Sequence, residues 1–227
     1  MSRRWEGMVA ANPSLFDGPV VACTGVDRTT SGALALSWAR VSFSSRTLRQ
    51  IRGASGWAPS YLYVTVLQPT MAGALVLVRQ SVSTVMPGCW QLPGGSAEPP
   101  AAGAALDVPA LRRHAAVELA EELGIATPAD DLTLWGVTRD KHGDVGMHFR
   151  APARPVATVF GDHATLVTAE RERGVVAEVE RLALVSSSAQ LGVLRRRADY
   201  LALVVARYTD QETARNPASA AGRLPHR

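Results

Sequence analysis

The chain has 227 residues, 47% hydrophobic and 19% charged, which excludes a disordered segment and supplies the core of one ordinary domain. Its formal charge of +4 comes almost wholly from arginine, since Lys141 is the only lysine, and scattered arginines argue against nucleic-acid binding while suiting phosphate-bearing ligands. Two cysteines, Cys23 and Cys89, exclude a disulfide framework, and the apolar runs stop well short of the ~20 residues of a membrane span.

In chain order, the first residues carry no apolar run of signal-peptide type, so a cytoplasmic protein is the default expectation. Residues 12–26 read as a turn, punctuated by Asp17-Gly18-Pro19, that leads into a short strand. Residues 33–43 alternate as a strand with Leu34, Leu36 and Trp38 on one face, and 44–59 form a basic connector. Two β-branched-rich strands follow, 61–68 and 74–80, joined by a Pro/Gly turn. Residues 86–104 are loop chemistry, rich in Pro and Gly. Asp107 is the expected N-cap of a helix that has Pro109 in its first turn, ends at Leu123 and stops at Gly124. Strands at 132–140 and 145–151 flank the turn Lys141–Asp144. A short helix is expected at 154–160, and a charged loop and strand at 170–185. One long helix is expected over 186–208, with Leu191, Leu194, Ala198, Leu201 and Val205 at helical spacing. The reading gives a β-rich N-terminal extension (1–60), a main domain (61–208) and a flexible tail (209–227), in an α/β (α+β) sandwich with a mixed sheet.

The stretch 117–124, VELAEELG, concentrates the chemistry. At 100° per residue Glu118, Glu121 and Glu122 share one face, with His114 one turn above them, while Ala115, Ala116, Leu119, Ala120 and Leu123 take the neighbouring arc. Like charges at i,i+4 cost about 0.2–0.5 kcal/mol, and anions in the last helical turns oppose the dipole by about 0.3–1 kcal/mol. The arrangement is unfavourable without a cation, although glutamate-rich helix faces are often simply solvated. Gln91-Leu92-Pro93-Gly94-Gly95 lies ahead of it, where glycines let the backbone approach a phosphate or offer a carbonyl. Oxygen donors without a Cys/His cluster point to Mg²⁺, with Mn²⁺ as the alternative.

These residues resemble the Nudix hydrolase superfamily, whose box reads GX5EX7REUXEEXGU. Gly95 stands as the opening glycine, and 117–125 matches REUXEEXGU except that Val117 replaces the arginine. The first glutamate of the box is replaced by Ala101, and the spacing to Glu118 is longer than in the family. The segments 12–21, 92–100, 136–149 and 188–208 also resemble the branch that cleaves UDP-glucose and UDP-galactose, which likewise lacks the arginine.

The resemblance implies a Nudix α/β/α sandwich with an N-terminal β extension and a C-terminal helix, acting on a small nucleotide substrate with no nucleic-acid or membrane partner. It implies that Glu118, Glu121 and Glu122 bind Mg²⁺ and carry catalysis, helped by a carbonyl of Gly94 or Gly95. A further metal carboxylate is expected from Glu178, with Glu180 second. Arg79, Arg139 and Lys141 are the expected phosphate clamps, and Phe16 and Asp17 the expected edge of a nucleoside pocket. Surface charge or turn packing explains each of these outlying residues equally well. His114, or the loop before the last strand, is where a contact compensating for the missing arginine is expected. Three functions compete: cleavage of a UDP-sugar, cleavage of ADP-ribose or another nucleotide, and a non-catalytic nucleotide-binding module.

Overall fold

The computed structural model describes residues 3–45 and 59–215. The basic connector expected at 44–59 therefore lies largely outside the described residues.

A helix absent from the sequence reading opens the chain: α1, Arg3–Ala11, buries Trp5, which packs edge-on against Phe43 at 6.1 Å. Strands β1 (Pro19–Arg28) and β2 (Leu34–Ser42) form an antiparallel hairpin. Leu34 and Trp38 remain exposed on it, and the partly buried Leu36 packs against the core. The hairpin meets β3 (Ser60–Leu67) only through Ala22 and Cys23. Beyond that point Ser96 and Ala97 take over the same edge of β3, Ala97 N–H donating to Leu62 O.

On its other edge β3 pairs in parallel with β7 (Val145–Arg150), and β7 pairs antiparallel with β6 (Thr133–Arg139). The result is a five-stranded mixed sheet in the order β2-β1-β3-β7-β6. A second sheet has the order β5-β4-β8, with β4 at Leu75–Gln80, β5 at Trp90–Gln91 and β8 at Val179–Val185. Both strands of the 61–80 region and both of the 132–151 region stand where expected.

Helix α2, Val108–Leu123, begins as its caps dictate. Asp107 accepts from Ala110 N–H at 2.8 Å, a proline stands at its start, and Gly124 ends it in the left-handed region at φ 71°. A Cβ on Gly124 would also lie 2.7 Å from Asp162 O, so the position needs glycine twice over. The apolar face of α2 (Leu111, Ala115, Leu119, Leu123) packs on Val64 and Val66 of one sheet and Val76 and Val78 of the other. Alternation along β4 turns Leu75 and Leu77 the opposite way, against Leu201, Val204, Val205 and Tyr208 of α4 (Leu201–Arg215). Helices thus cover both sides of the sheets, the α/β/α layering expected.

Two helical expectations are corrected. Residues 154–160 are the start of a longer helix, α3 (Val156–Glu172), in which Val159 is the buried residue, so the chain carries little periodic signal there. The helix expected over 186–208 is interrupted. A short 3₁₀ turn, Ser188–Val193, gives way to extended chain, because the open edge of β5 offers backbone partners: Trp90 N–H donates to Arg196 O and Ala198 N–H to Trp90 O, both at 2.9 Å. Arg196 takes φ 52° there. The final helix then runs to Arg215, so residues 209–215 of the expected tail are helical and 216–227 lie outside the described residues. Among the described residues no helix is long and apolar enough to cross a membrane.

Candidate active site

The two sheets and α2 converge on Gly94-Gly95. Val66 N–H donates to Pro93 O and Val64 N–H to Gly95 O, so the loop runs as a ribbon beside β3. A Cβ on Gly94, at φ 142°, would lie 2.2 Å from Val64 O and 2.7 Å from the Thr65 Cα. Only glycine allows that approach to β3. A Cβ on Gly95 would instead lie 2.4 Å from Glu118 Oε1. Adjacent glycines therefore bring the loop against the strand on one side and a helix carboxylate on the other.

Glu122, 3% exposed, has a partner at each oxygen: Gln80 Nε2 donates to Oε1 at 2.7 Å and Gly94 N–H to Oε2 at 2.8 Å. Its pKa stands well above the usual carboxylate value, through burial first and then the Glu118 charge, against the opposing hydrogen bonds from Gly94 and Gln80; Glu178 adds to the rise. Glu118 lies half-buried with Oε1 3.1 Å from His114 Nε2. Glu121 is exposed, and desolvation followed by the Glu118 charge raises its pKa. Glu178 feels the same charges: burial, then Glu118 and Glu121, raise its pKa, while its backbone carbonyl accepts from Ser81 N–H at 2.7 Å. Glu118 and Glu122 thus meet the Gly94-Gly95 loop directly, while Glu121 and Glu178 are linked to them through charge.

The outlying residues are placed otherwise. Arg79 pairs with Glu180, the second-choice carboxylate, and packs over the Gly88 turn. Lys141 pairs with Asp199 at 2.9 Å, and Arg139 is exposed at the end of β6 beside Gly143. Phe16 is 80% exposed, and Asp17 accepts from Ser44 N–H at 2.7 Å, which is turn chemistry. Val117 is exposed on the solvent side of α2. Both cysteines are buried and free, and burial raises both thiols, as packing residues require.

Three contributors escaped the sequence reading: Gln80, Ser96 and Tyr200. Tyr200 Oη accepts from Leu92 N–H at 3.2 Å, tying the Gly-rich loop to the segment before α4. Its ring lies 5.6 Å from Tyr63 and 5.1 Å from His148, centroid to centroid. His148 is fully buried between Thr65 (2.7 Å) and Thr138 (2.8 Å), and burial lowers its pKa to about 4, so it stands neutral.

The donor set fits a hard divalent cation: carboxylates and peptide carbonyls, with mutual repulsion among Glu118, Glu121, Glu122 and Glu178 that a cation relieves. Their side chains do not yet ring one point, since among the described residues no three His, Cys, Asp or Glu side chains form a ready metal cluster. Both oxygens of Glu122 are engaged, by Gln80 and Gly94, and one oxygen of Glu118 lies against His114.

No family model matches the sequence, and no curated protein matches it. Among solved structures the chain is similar to the NUDIX domain of Shewanella oneidensis NrtR complexed with ADP ribose: 18% identity, 74% of this chain and 96% of that one, TM-score 0.41. It is also similar to the E. coli ORF135 protein (16%, 69% and 93%, TM-score 0.44). A third likeness is to DR0079 from Deinococcus radiodurans (13%, 82% and 96%, TM-score 0.43).

Proposed function

We propose that this chain is a Mg²⁺-dependent pyrophosphohydrolase that cleaves a nucleoside diphosphate linked to a second group, with a UDP-sugar, split to UMP and sugar 1-phosphate, as the substrate. The observation that carries the reading is the contact of two α2 glutamates, Glu118 and Glu122, with the adjacent backbone positions Gly95 and Gly94. Such a loop brings backbone and carboxylates to one place.

Glu118, Glu121, Glu122 and Glu178 would hold the metal, with the Gly94 carbonyl, Glu122 offering the oxygen that Gln80 now occupies. When bound, Mg²⁺ neutralises the diphosphate and lowers the pKa of an attacking water. Glu122 also fixes the loop: its Oε2 accepts from Gly94 N–H and holds Gly94, and thereby Gly95, against α2, while Gln80 of β4 donates to its Oε1. Arg139 lies exposed and available to phosphate, whereas Arg79 and Lys141 must first leave Glu180 and Asp199. The UDP-sugar assignment rests on the order of segments along the chain.

A second reading, a nucleotide-binding module without catalysis, is favoured by the engaged oxygens of Glu122 and by Ala101 and Val117 at box positions. A panel of UDP-, ADP- and CDP-linked substrates with Mg²⁺ or Mn²⁺ separates the two. Release of nucleoside monophosphate, fastest from UDP-glucose or UDP-galactose, is expected. Faster turnover of ADP-ribose removes the sugar-nucleotide assignment, and silence across the panel leaves the non-catalytic module.

A further inference from the structure

We propose that His114 is the positioning residue for Glu118, holding its carboxylate at the metal site through one ring N–H shared with the backbone of the Gly-rich loop. The proposal rests on the metal reading of the acidic site. His114 Nε2 lies 3.0 Å from Ser96 O and 3.1 Å from Glu118 Oε1. A carbonyl and a carboxylate only accept, so Nε2 carries the hydrogen whatever the state of the rest of the ring. That one donor spans two elements, the strand segment on β3 and helix α2. Glu118 sits one turn on from His114, so its aliphatic stem alone leaves the carboxylate free to rotate into solvent. His114 Nε2 on one side and the bare Cα of Gly95 on the other remove that freedom. Val117, the preceding residue, faces solvent and contributes nothing to the restraint. Partners that orient a ligand in this way typically change metal affinity by about 10–100-fold when removed.

The test uses the full chain stripped of metal, with free Mn²⁺ read by electron paramagnetic resonance. His114→Leu is expected to weaken Mn²⁺ binding at least about tenfold, and His114→Gln, whose amide still donates at similar reach, to recover most of that loss. Imidazole ¹⁵N shifts of the unsubstituted protein supply a readout independent of any variant's folding and of metal: the proton is expected on Nε2. Wild-type affinity in His114→Leu overturns the proposal, as does a His114→Gln variant as weak as His114→Leu, or a ring protonated on Nδ1 alone. Absence of Mn²⁺ binding by the unsubstituted protein overturns the metal reading itself and the proposal with it.

Discussion

At the scale of single residues, Glu122 carries opposing demands. Its two hydrogen bonds tie α2 to Gly94 and to Gln80, yet burial and the Glu118 charge make its ionised form costly. A folded-state pKa above the unfolded value means the group destabilises the fold at high pH, and stability is gained as pH falls through the folded value. Glu122→Gln keeps an acceptor for Gly94 N–H, and the Gln80 amide can turn to accept from the new NH₂. In metal-free buffer at pH 7 the variant should therefore melt at or above the wild-type temperature while losing orders of magnitude in turnover. Glu122→Leu strands Gly94 N–H and Gln80 and should cost about 2–4 kcal/mol. Full activity in Glu122→Gln would show that the loop needs no carboxylate there.

His148 has the opposite sign. Its folded pKa of about 4 lies below the ordinary 6.5, so the unfolded chain binds the proton first as pH falls. Its contribution is complete above pH ~6.5 and is lost towards pH ~4. Between pH 7 and 4.5 the wild type should lose about 2 kcal/mol more unfolding free energy than His148→Gln, read from urea midpoints. Equal losses would place the ring in water. Neither partner was singled out in the sequence: Thr138 sits across the β6–β7 hairpin, and Thr65 reaches it from β3, far along the chain.

At the scale of elements, the legible parts are those with local causes. The span of α2 follows from Asp107, Pro109 and Gly124, and its glutamate face from residue spacing. The helix α3 has the buried side chain Val159 but little other periodic signal, and the chain before α4 is extended because β5 recruits it, a non-local cause. The glycines of the loop separate fold from function. In Gly94→Ala the new Cβ meets β3 backbone at a φ of 142°, so about 3–5 kcal/mol of stability should be lost. In Gly95→Ala it meets the far end of the Glu118 side chain, which can swing away. That variant should melt near the wild-type temperature and bind Mn²⁺ more weakly. The reverse ranking in calorimetry and metal titration would contradict this packing.

At the scale of the molecule, the site exists because α2 packs on both sheets at once and the C-terminal segment closes around the loop through Trp90 and Tyr200. The acidic trio and the glycine pair were visible in the sequence as types and spacings; their restraints, Gln80, Ser96 and Tyr200, were not, since each comes from a different element. Arg79 and Lys141 show the limit of reading charge from sequence: both are arranged here as ion pairs. The central claim is water attack on a phosphoric anhydride that depends on both metal and trio. Its most direct measurement is ³¹P NMR of UDP-glucose and ADP-ribose incubated in oxygen-18 water. The heavy oxygen is expected on one product phosphate, with Mg²⁺ or Mn²⁺ required and the signal absent from Glu118→Gln. Unlabelled, intact substrates under every metal condition, or label incorporated equally by that variant, would contradict it.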